Sequence, residues 1–311
     1  MKVALVGGTG FVGSHLVDEL IQQGHHPVLL VRPGSESKVQ HPKLSSTVSG
    51  EVSQPEAIRN LLSGCDAAIY NVGILRENRS QGITFQALQL DGAKRVIDLA
   101  LELEVKRFIL ASANGAKPDG TAYQRTKYLA EQYLKTTELE WTIFRPSVMF
   151  GDPRGRREFC TDLYQQIVRA PLPAPLFYKG VLPINAGAFA LSPVHVCDVS
   201  TVYVKSLTMP ETVHQTFALC GPEPLEWKTI IQTIARASGA HNKWTLPAPV
   251  FVVKMWATLL EQFPFFPVTR DQITMLLEGN TCDDFALFDV FGVVPTPFNE
   301  ETLSYLRQPA Q

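Results

Sequence analysis

Tyr123-Gln124-Arg125-Thr126-Lys127 sets a phenol and an ammonium four residues apart, hence on one face of a helix. In a reaction site that pairing has a use. The ammonium favours phenolate and draws the phenol towards a neutral pKa, so Tyr123 becomes a general acid or base and Lys127 can bond a ribose hydroxyl. Ser112 precedes the pair at the end of an apolar run, where its hydroxyl either polarises a carbonyl or caps local backbone.

A second set of residues suits phosphate. Gly7-Gly8-Thr9-Gly10-Phe11-Val12-Gly13 places glycines at GxxGxxG spacing between an apolar run, Val3 to Val6, and a segment with helical periodicity. Gly7 allows the sharp turn, Gly10 lets backbone approach a pyrophosphate, and Gly13 allows close packing of helix on sheet. The N–H groups and positive dipole end of the helix then face the diphosphate. These residues, with Thr9, Phe11 and Val12, form the expected cradle of a nicotinamide dinucleotide.

Which dinucleotide is bound depends on the end of the second strand, where a carboxylate would bond the ribose hydroxyls and repel a 2′-phosphate. Val31-Arg32-Pro33-Gly34-Ser35 holds no carboxylate, and the Arg32 guanidinium can pair with a phosphate. NADP(H) is therefore expected over NAD(H). Topology adds Val52 after the third strand, Asn71-Val72-Gly73 after the fourth, and Pro146 and Val148 near the end of the sixth.

These positions need a scaffold, and the pattern supplies one. Strands are expected at 2–7, 27–31, 46–49, 67–71, 107–112 and 141–145, alternating with helices at 11–23, 55–62, 85–103 and 123–135. Strands alternating with helices imply a doubly wound, parallel α/β sheet of Rossmann type. After Arg145 prolines interrupt the periodicity, and a smaller, mixed C-terminal substrate lobe is expected. The boundaries are 1–150 for the dinucleotide-binding domain and 151–311 for the lobe, with a segment near 192–210 returning to the first domain. Further helices are expected at 196–207 and 225–238, and a strand at 216–219.

A formal net charge of −2, from 28 basic and 30 acidic residues, provides no track for a nucleic-acid backbone, and no nucleic-acid partner is expected. Cys65, Cys160, Cys197, Cys220 and Cys282 show no metal-ligand spacing. No metal is expected, and the thiols read as small buried residues of a reducing compartment. The first apolar run is broken at once by glycines and is no signal peptide, which predicts a cytoplasmic location, with peripheral attachment to a membrane left open. The stretch 249–266 is too short and too interrupted, by Lys254, Glu261 and Pro264, to span a bilayer. Its Phe251, Met255, Trp256, Leu259, Leu260 and Phe263 fall at helical spacing, as for a buried face or for a partner or membrane surface. The segment 171–190, with Phe177, Tyr178, Leu182, Ile184 and Phe189, reads as a lid over an apolar substrate or as core packing. His195 and Asp198 read as structural, the carboxylate lying at a helix start.

The glycine turn, the strand-end Ser112 and Tyr123-xxx-Lys127 together resemble the short-chain dehydrogenase/reductase superfamily in its extended or atypical branch. More narrowly, Asp91-Gly92-Ala93-Lys94-Arg95-Val96-Ile97, Arg145-Pro146-Ser147-Val148-Met149-Phe150-Gly151 and Ser192-Pro193-Val194-His195-Val196-Cys197-Asp198-Val199 resemble the atypical group that includes the nucleotide-binding accessory subunit of respiratory complex I. Asp271-Gln272-Ile273 and the stretch from Phe291-Gly292 to Leu306 agree with that group's C-terminal pattern. The resemblance implies a bound dinucleotide and two alternatives for its use. One is a carbonyl oxidoreductase acting on an apolar substrate through Tyr123, Lys127 and Ser112. The other is a non-catalytic accessory or assembly protein with a respiratory-complex or membrane-peripheral partner. Ala113 stands where the extended branch usually has Ser or Thr, which favours the second. A nucleotide-sugar epimerase is disfavoured by Arg32 and by the apolar lobe.

Overall fold

Short apolar runs alternate with amphipathic ones from Lys2 onward, and the runs become strands of one sheet. In this computed structural model, which describes every residue except 181, 241, 254, 256–268, 283–286 and 308–311, the chain forms two compact units. The first comprises Met1–Pro146, Val196–Leu219 and Ala286–Val294. The second comprises Ser147–His195, Cys220–Phe285 and Pro295–Gln311.

The first unit is an α/β fold around a seven-stranded sheet of order β3-β2-β1-β4-β5-β6-β11. Its strands are β1 (Lys2–Val6), β2 (His26–Val31), β3 (Ser46–Ser49), β4 (Ala67–Tyr70), β5 (Arg107–Ala111), β6 (Glu140–Pro146) and β11 (Gln215–Leu219). Every neighbouring pair is parallel. Parallel neighbours require crossovers, and α1 (Phe11–Gln22), α2 (Pro55–Leu62), α3 (Gly92–Glu102), α4 (Ala122–Lys135) and α6 (Val196–Ser206) run between successive strands. The apolar side chains of β1, β4 and β5 are buried with Ile58, Leu61, Val96 and Ile97 from the helices.

The order reverses between β1 and β4, the point at which doubly wound sheets take ligands beyond the carboxyl ends of their strands. The expected elements of this unit appear within a residue or two, with one change. The helix expected over 85–103 opens as a π-helix at Gln86–Asp91 before continuing as α3. Gln89 in that turn is buried, donating to the Ile74 carbonyl (3.0 Å) and accepting from Thr126 Oγ1 (2.9 Å). The wider turn thus ties the loop after β4 to α4.

A buried arginine fastens the returning segment. Arg107 on β5 donates to Thr142 Oγ1 (2.7 Å), the Ser206 carbonyl (2.6 Å) and Thr212 Oγ1 (3.0 Å). Burial pulls its guanidinium down to about 10, and these acceptors offset that cost. The buried Phe288 and Phe291 come from the helix Leu287–Phe291 of the same unit, and Phe291 packs against Phe144 and Phe217.

The second unit is smaller and mixed. It holds α5 (Phe159–Leu163), α7 (Trp227–Ala237) and the helix Arg270–Glu278. Its strands β7 (Met149–Phe150), β8 (Ala174–Tyr178), β9 (Ala190–Leu191), β10 (Val194–His195), β12 (Leu225–Glu226) and β13 (Thr245–Pro249) pair two by two. Phe150, Leu191, Trp227, Ile230, Ile231, Ile234 and Leu303 fill its core. The segment 171–190 is core packing in part. Leu176 and Phe177 enter the core, whereas Leu182 and Ile184 are exposed. Of the helical face at 249–266, Phe251 and Met255 are exposed, and Trp256, Leu259, Leu260 and Phe263 lie outside the described residues.

The cysteines depart from expectation. Cys220 and Cys282 form a disulfide, and Cys197 is exposed; only Cys65 and Cys160 are buried free thiols. Tertiary contact brings together two thiols separated by 62 residues, which no local spacing announces. Around the bridge, Ser192 receives chain from both sides, its N–H donating to the Asn280 carbonyl and its carbonyl accepting from Gly221. Closing a loop of that length contributes about 4 kcal/mol through the unfolded state. Alkylation of unfolded protein without reductant is expected to modify Cys65, Cys160 and Cys197 and to spare Cys220 and Cys282. Mass spectrometry finding all five alkylated in the unreduced protein would rule the bridge out.

No helix among the described residues is long and apolar enough to cross a membrane. Among the same residues, no three His, Cys, Asp or Glu side chains gather as a metal site would require.

Candidate functional site

The turn after β1 shows what each glycine does. Gly7 has φ +93°, and a Cβ there would lie 2.4 Å from the Asn71 carbonyl oxygen. A Cβ on Gly13 would lie 2.1 Å from the Gly7 oxygen and 2.7 Å from Gly8 Cα. Both are required by the packing of the chain on itself. Gly10 differs, since a Cβ there would meet only the Gly7 oxygen, at 3.3 Å. Its φ of −78° and ψ of −177° suit any residue, so conformation does not account for glycine at this position, and packing opposes a side chain far less than at Gly7 or Gly13.

Gly10 is also the N-cap of α1, with no side-chain cap and no acidic residue in the first turn. The helix therefore presents N–H groups and a positive dipole end that the chain leaves for another acceptor. An open approach at Gly10 in front of such an end fits the pyrophosphate of a dinucleotide. Thr9 and Phe11 are half-buried beside it, Phe11 edge-on to the His15 ring at 5.7 Å, and Val12 is turned into the core.

Along the carboxyl edge of the sheet, the remaining expected residues have mixed surroundings. Arg32 is exposed immediately after β2. Val31, Glu36, Val39, Pro42, Thr47 and Ser49 line a depression there, and the Glu36 carboxylate accepts the Gly34 N–H (3.1 Å). Val52 is buried against the core, and its carbonyl accepts from Arg95 (2.7 Å). Asn71 donates its N–H to the Val6 carbonyl, and Val72 accepts from Lys127 Nζ at 2.9 Å. Gly73 leaves room beside that ammonium, a Cβ there standing 3.9 Å from Nζ. The Pro146 carbonyl accepts from Asn114 N–H (2.9 Å) at the end of β6. Val148 belongs to the second unit, where it packs against the apolar core.

Tyr123, Lys127 and Glu131 are spaced four apart along α4, which places them on one face. A capping box starts the helix: Thr121 Oγ1 accepts from the Gln124 N–H while Gln124 Oε1 accepts from the Thr121 N–H. Lys127 is buried and donates to the Val72 and Ala111 carbonyls at 2.9 and 2.7 Å. An ammonium has three donors, so one remains. Burial lowers Lys127 to about 8, and the Glu131 charge opposes that shift.

The phenol behaves contrary to expectation. Tyr123, packed edge-on against Phe85 at 5.7 Å, is pushed up by burial to about 12, and Lys127 is not a cause of any shift. The ammonium is directed to backbone carbonyls instead. Tyr123 consequently stays protonated at neutral pH, the state of an acid rather than of a base.

Ser112 follows neither expected course. It is buried, and its hydroxyl donates to Glu131 Oε1. Glu131 has no solvent exposure and is held in a fork by Arg145, at 2.8 Å from Nε and 2.5 Å from Nη2. The carboxylate thus gathers β5, β6 and α4 into one polar knot. Sequence reasoning missed Glu131, Arg145 and Gln89. The i, i+4, i+8 series from Tyr123 was the one available signal for Glu131, and a strand-end arginine beside a helical carboxylate carries none until the fold brings them together.

His195 and Asp198 have structural surroundings. His195 lies edge-on to Phe150 at 5.1 Å in the second unit, and Asp198 sits buried in the first turn of α6.

Comparison with known proteins agrees with this geometry. The chain is 26% identical over 309 residues to the mitochondrial NADH-ubiquinone oxidoreductase 40 kDa subunit of Neurospora crassa, covering 97% of this chain and 77% of that protein. It is 25% identical over 263 residues to a ceramide reductase of Caulobacter vibrioides, covering 83% and 78% respectively. The crystal structure of UDP-glucose 4-epimerase from Thermotoga maritima superposes with a TM-score of 0.72 at 16% identity, over 99% of this chain and 97% of that one, which shows a shared fold. The sequence profile described as NAD(P)H-binding matches residues 7–167, starting at the first glycine of the turn. The chain is therefore a member of the NAD(P)H-binding family, an atypical short-chain dehydrogenase/reductase-like protein with complex I 40 kDa subunits among its distant relatives.

Proposed function

We propose that this protein is an NADP(H)-dependent oxidoreductase that reduces the carbonyl of an apolar substrate. The observation that carries the reading is the Tyr123 phenol one helical turn from the buried Lys127 ammonium, on the helix that follows the strand ending at Ala111. Gly7, Thr9, Gly10, Phe11, Val12 and Gly13 would hold the diphosphate, Arg32 the 2′-phosphate, and Asn71, Val72, Gly73 and Pro146 the remainder. Val52 would contact the adenosine end through its backbone. When bound, the reduced nicotinamide supplies a hydride. Tyr123 Oη holds the proton that the developing alkoxide takes, and the remaining Lys127 donor orients a ribose hydroxyl. Ser112 would assist only by exchanging its Glu131 partner for the substrate oxygen.

Support for NADP(H) comes from Arg32. The guanidinium is exposed immediately after β2, beside a depression that Glu36 also lines and where the Glu36 carboxylate accepts the Gly34 N–H. A second reading has its own observation. With Ser112 engaged by Glu131 and Ala113 following it, the dinucleotide would serve as a structural element of an accessory protein, as the relation to the Neurospora subunit suggests.

Titration of the wild type and Arg32→Ala with NADPH and NADH tests the cofactor, and a hydride-transfer screen with Tyr123→Phe tests the chemistry. Tighter NADPH binding that Arg32→Ala abolishes is expected, with turnover falling roughly 10²–10⁴-fold in Tyr123→Phe. NADH bound more tightly would end the NADP(H) assignment. NADPH bound yet never oxidised by any carbonyl compound would leave the accessory reading in place.

A further inference from the structure

The second unit carries a face whose composition sets it apart from the rest of the chain. Although the protein has 30 acidic residues, none falls in 163–197 or in 227–260. Their described basic residues are Arg169, Lys179, Lys228, Arg236 and Lys243, of which Arg236 is paired with Glu300 (2.6 Å). They meet in space, because β8 and β13 pair in parallel with Ala174 opposite Thr245 and Pro175 opposite Leu246. The Ala174 N–H also donates to the Trp244 carbonyl at 2.7 Å, which brings the ends preceding the two strands together.

Large apolar side chains point outward along this pair. Trp244 is 82% exposed and Leu172 is 71% exposed at one end, and Leu246 is exposed along β13. Phe251 and Met255 follow on the helical residues after β13, four apart and therefore on one face. Scattered exposed leucines are ordinary, but an indole, a phenyl ring, a thioether and two leucines on paired strands and the helix that follows them are not. Lys243 has its ammonium turned in to the Val168 and Ala170 carbonyls, whereas Arg169 and Lys179 are exposed at the borders.

We propose that this face docks on the surface of a lipid bilayer containing anionic lipids. Charge complementarity selects that occupant. A face carrying Trp, Phe, Leu and Met, bordered by Arg and Lys and drawn from segments without Asp or Glu, matches the headgroup boundary of an anionic leaflet. A second copy of the chain would oppose basic borders to basic borders, and like charges facing each other destabilise the contact. The docking is peripheral, with side chains entering the interface and no segment crossing it. It does not depend on whether Tyr123 transfers a proton.

The full chain is mixed with vesicles of phosphatidylcholine alone, or of phosphatidylcholine with phosphatidylglycerol, and sedimented over a series of salt concentrations. Wild-type protein is expected to sediment with the anionic vesicles, to be released as salt rises, and to stay in the supernatant with phosphatidylcholine. The double variant Leu172→Asp, Trp244→Asp is expected to partition at least about tenfold more weakly, with Arg169→Glu intermediate. Both variants alter exposed side chains, and unchanged circular dichroism and dinucleotide titration verify their fold. Wild type that ignores both vesicle types overturns the proposal, as does a double variant that binds like wild type. A wild-type dimer in sedimentation equilibrium that the double variant makes monomeric, without vesicle binding, assigns the face to a second copy instead.

Discussion

Gly10→Val is expected to weaken dinucleotide binding roughly a hundredfold, the equivalent of one or two charge-assisted hydrogen bonds, while leaving the denaturation midpoint almost unchanged. The separation of the two effects follows from the turn. A Cβ on Gly10 meets only the Gly7 oxygen, at 3.3 Å, and the backbone there is extended, so a small displacement of that oxygen is the cost to the folded chain. Its methyl groups would fill the approach to the uncapped start of α1. Gly13→Ala provides the contrast, since its Cβ would stand 2.1 Å from the Gly7 oxygen and force the turn apart. That variant is expected to lose stability and binding together. Isothermal titration with NADPH and urea denaturation of both proteins make the comparison. A Gly10→Val protein that binds like wild type would show that the turn is a packing device and no phosphate cradle.

Glu131→Ala is expected to cost about 3 kcal/mol of folding stability, at the lower end of the range for breaking a buried pair. Arg145 is 28% exposed, so it can turn to water once its partner is gone, which is why the lower end applies. Ser112 loses its acceptor and Lys127 loses the charge that opposes its burial, so Glu131→Ala removes more than one bond. Glu131→Gln keeps the shape and one acceptor and is expected to cost less. Urea midpoints for the two variants decide the matter. A wild-type midpoint for Glu131→Ala would mean that the carboxylate is not the tie between β5, β6 and α4.

The parts of this molecule that were legible in its sequence are those written in local chemistry. The strand-turn-helix from Lys2 to Gln22 has an apolar run, glycines and an amphipathic repeat in immediate succession, and it is found as read. The same holds for α2, with Pro55 in its first turn, and for α4 behind its capping box. The phenol was misjudged for a physical reason. Helical spacing specifies which side chains share a face, but not which partner a long amine chooses, and Lys127 bonds the Val72 carbonyl in the loop after β4 and the Ala111 carbonyl of β5. Ser112 and Glu131, 19 residues apart, and the cysteines, 62 apart, depend on how the sheet closes, which no window of residues contains.

The patchwork origin of the first unit has a consequence for how the protein is made. Emergence of Pro146 from the ribosome leaves β6 with one hydrogen-bonding edge bare until β11 arrives, and Arg107 without its Ser206 and Thr212 acceptors. Most of the second unit has to be synthesised before the helix Leu287–Phe291 can bring Phe291 against Phe144. The nucleotide-binding unit therefore cannot complete its sheet or its core until chain well beyond Pro146 has been made, and it holds an open sheet edge in the interval.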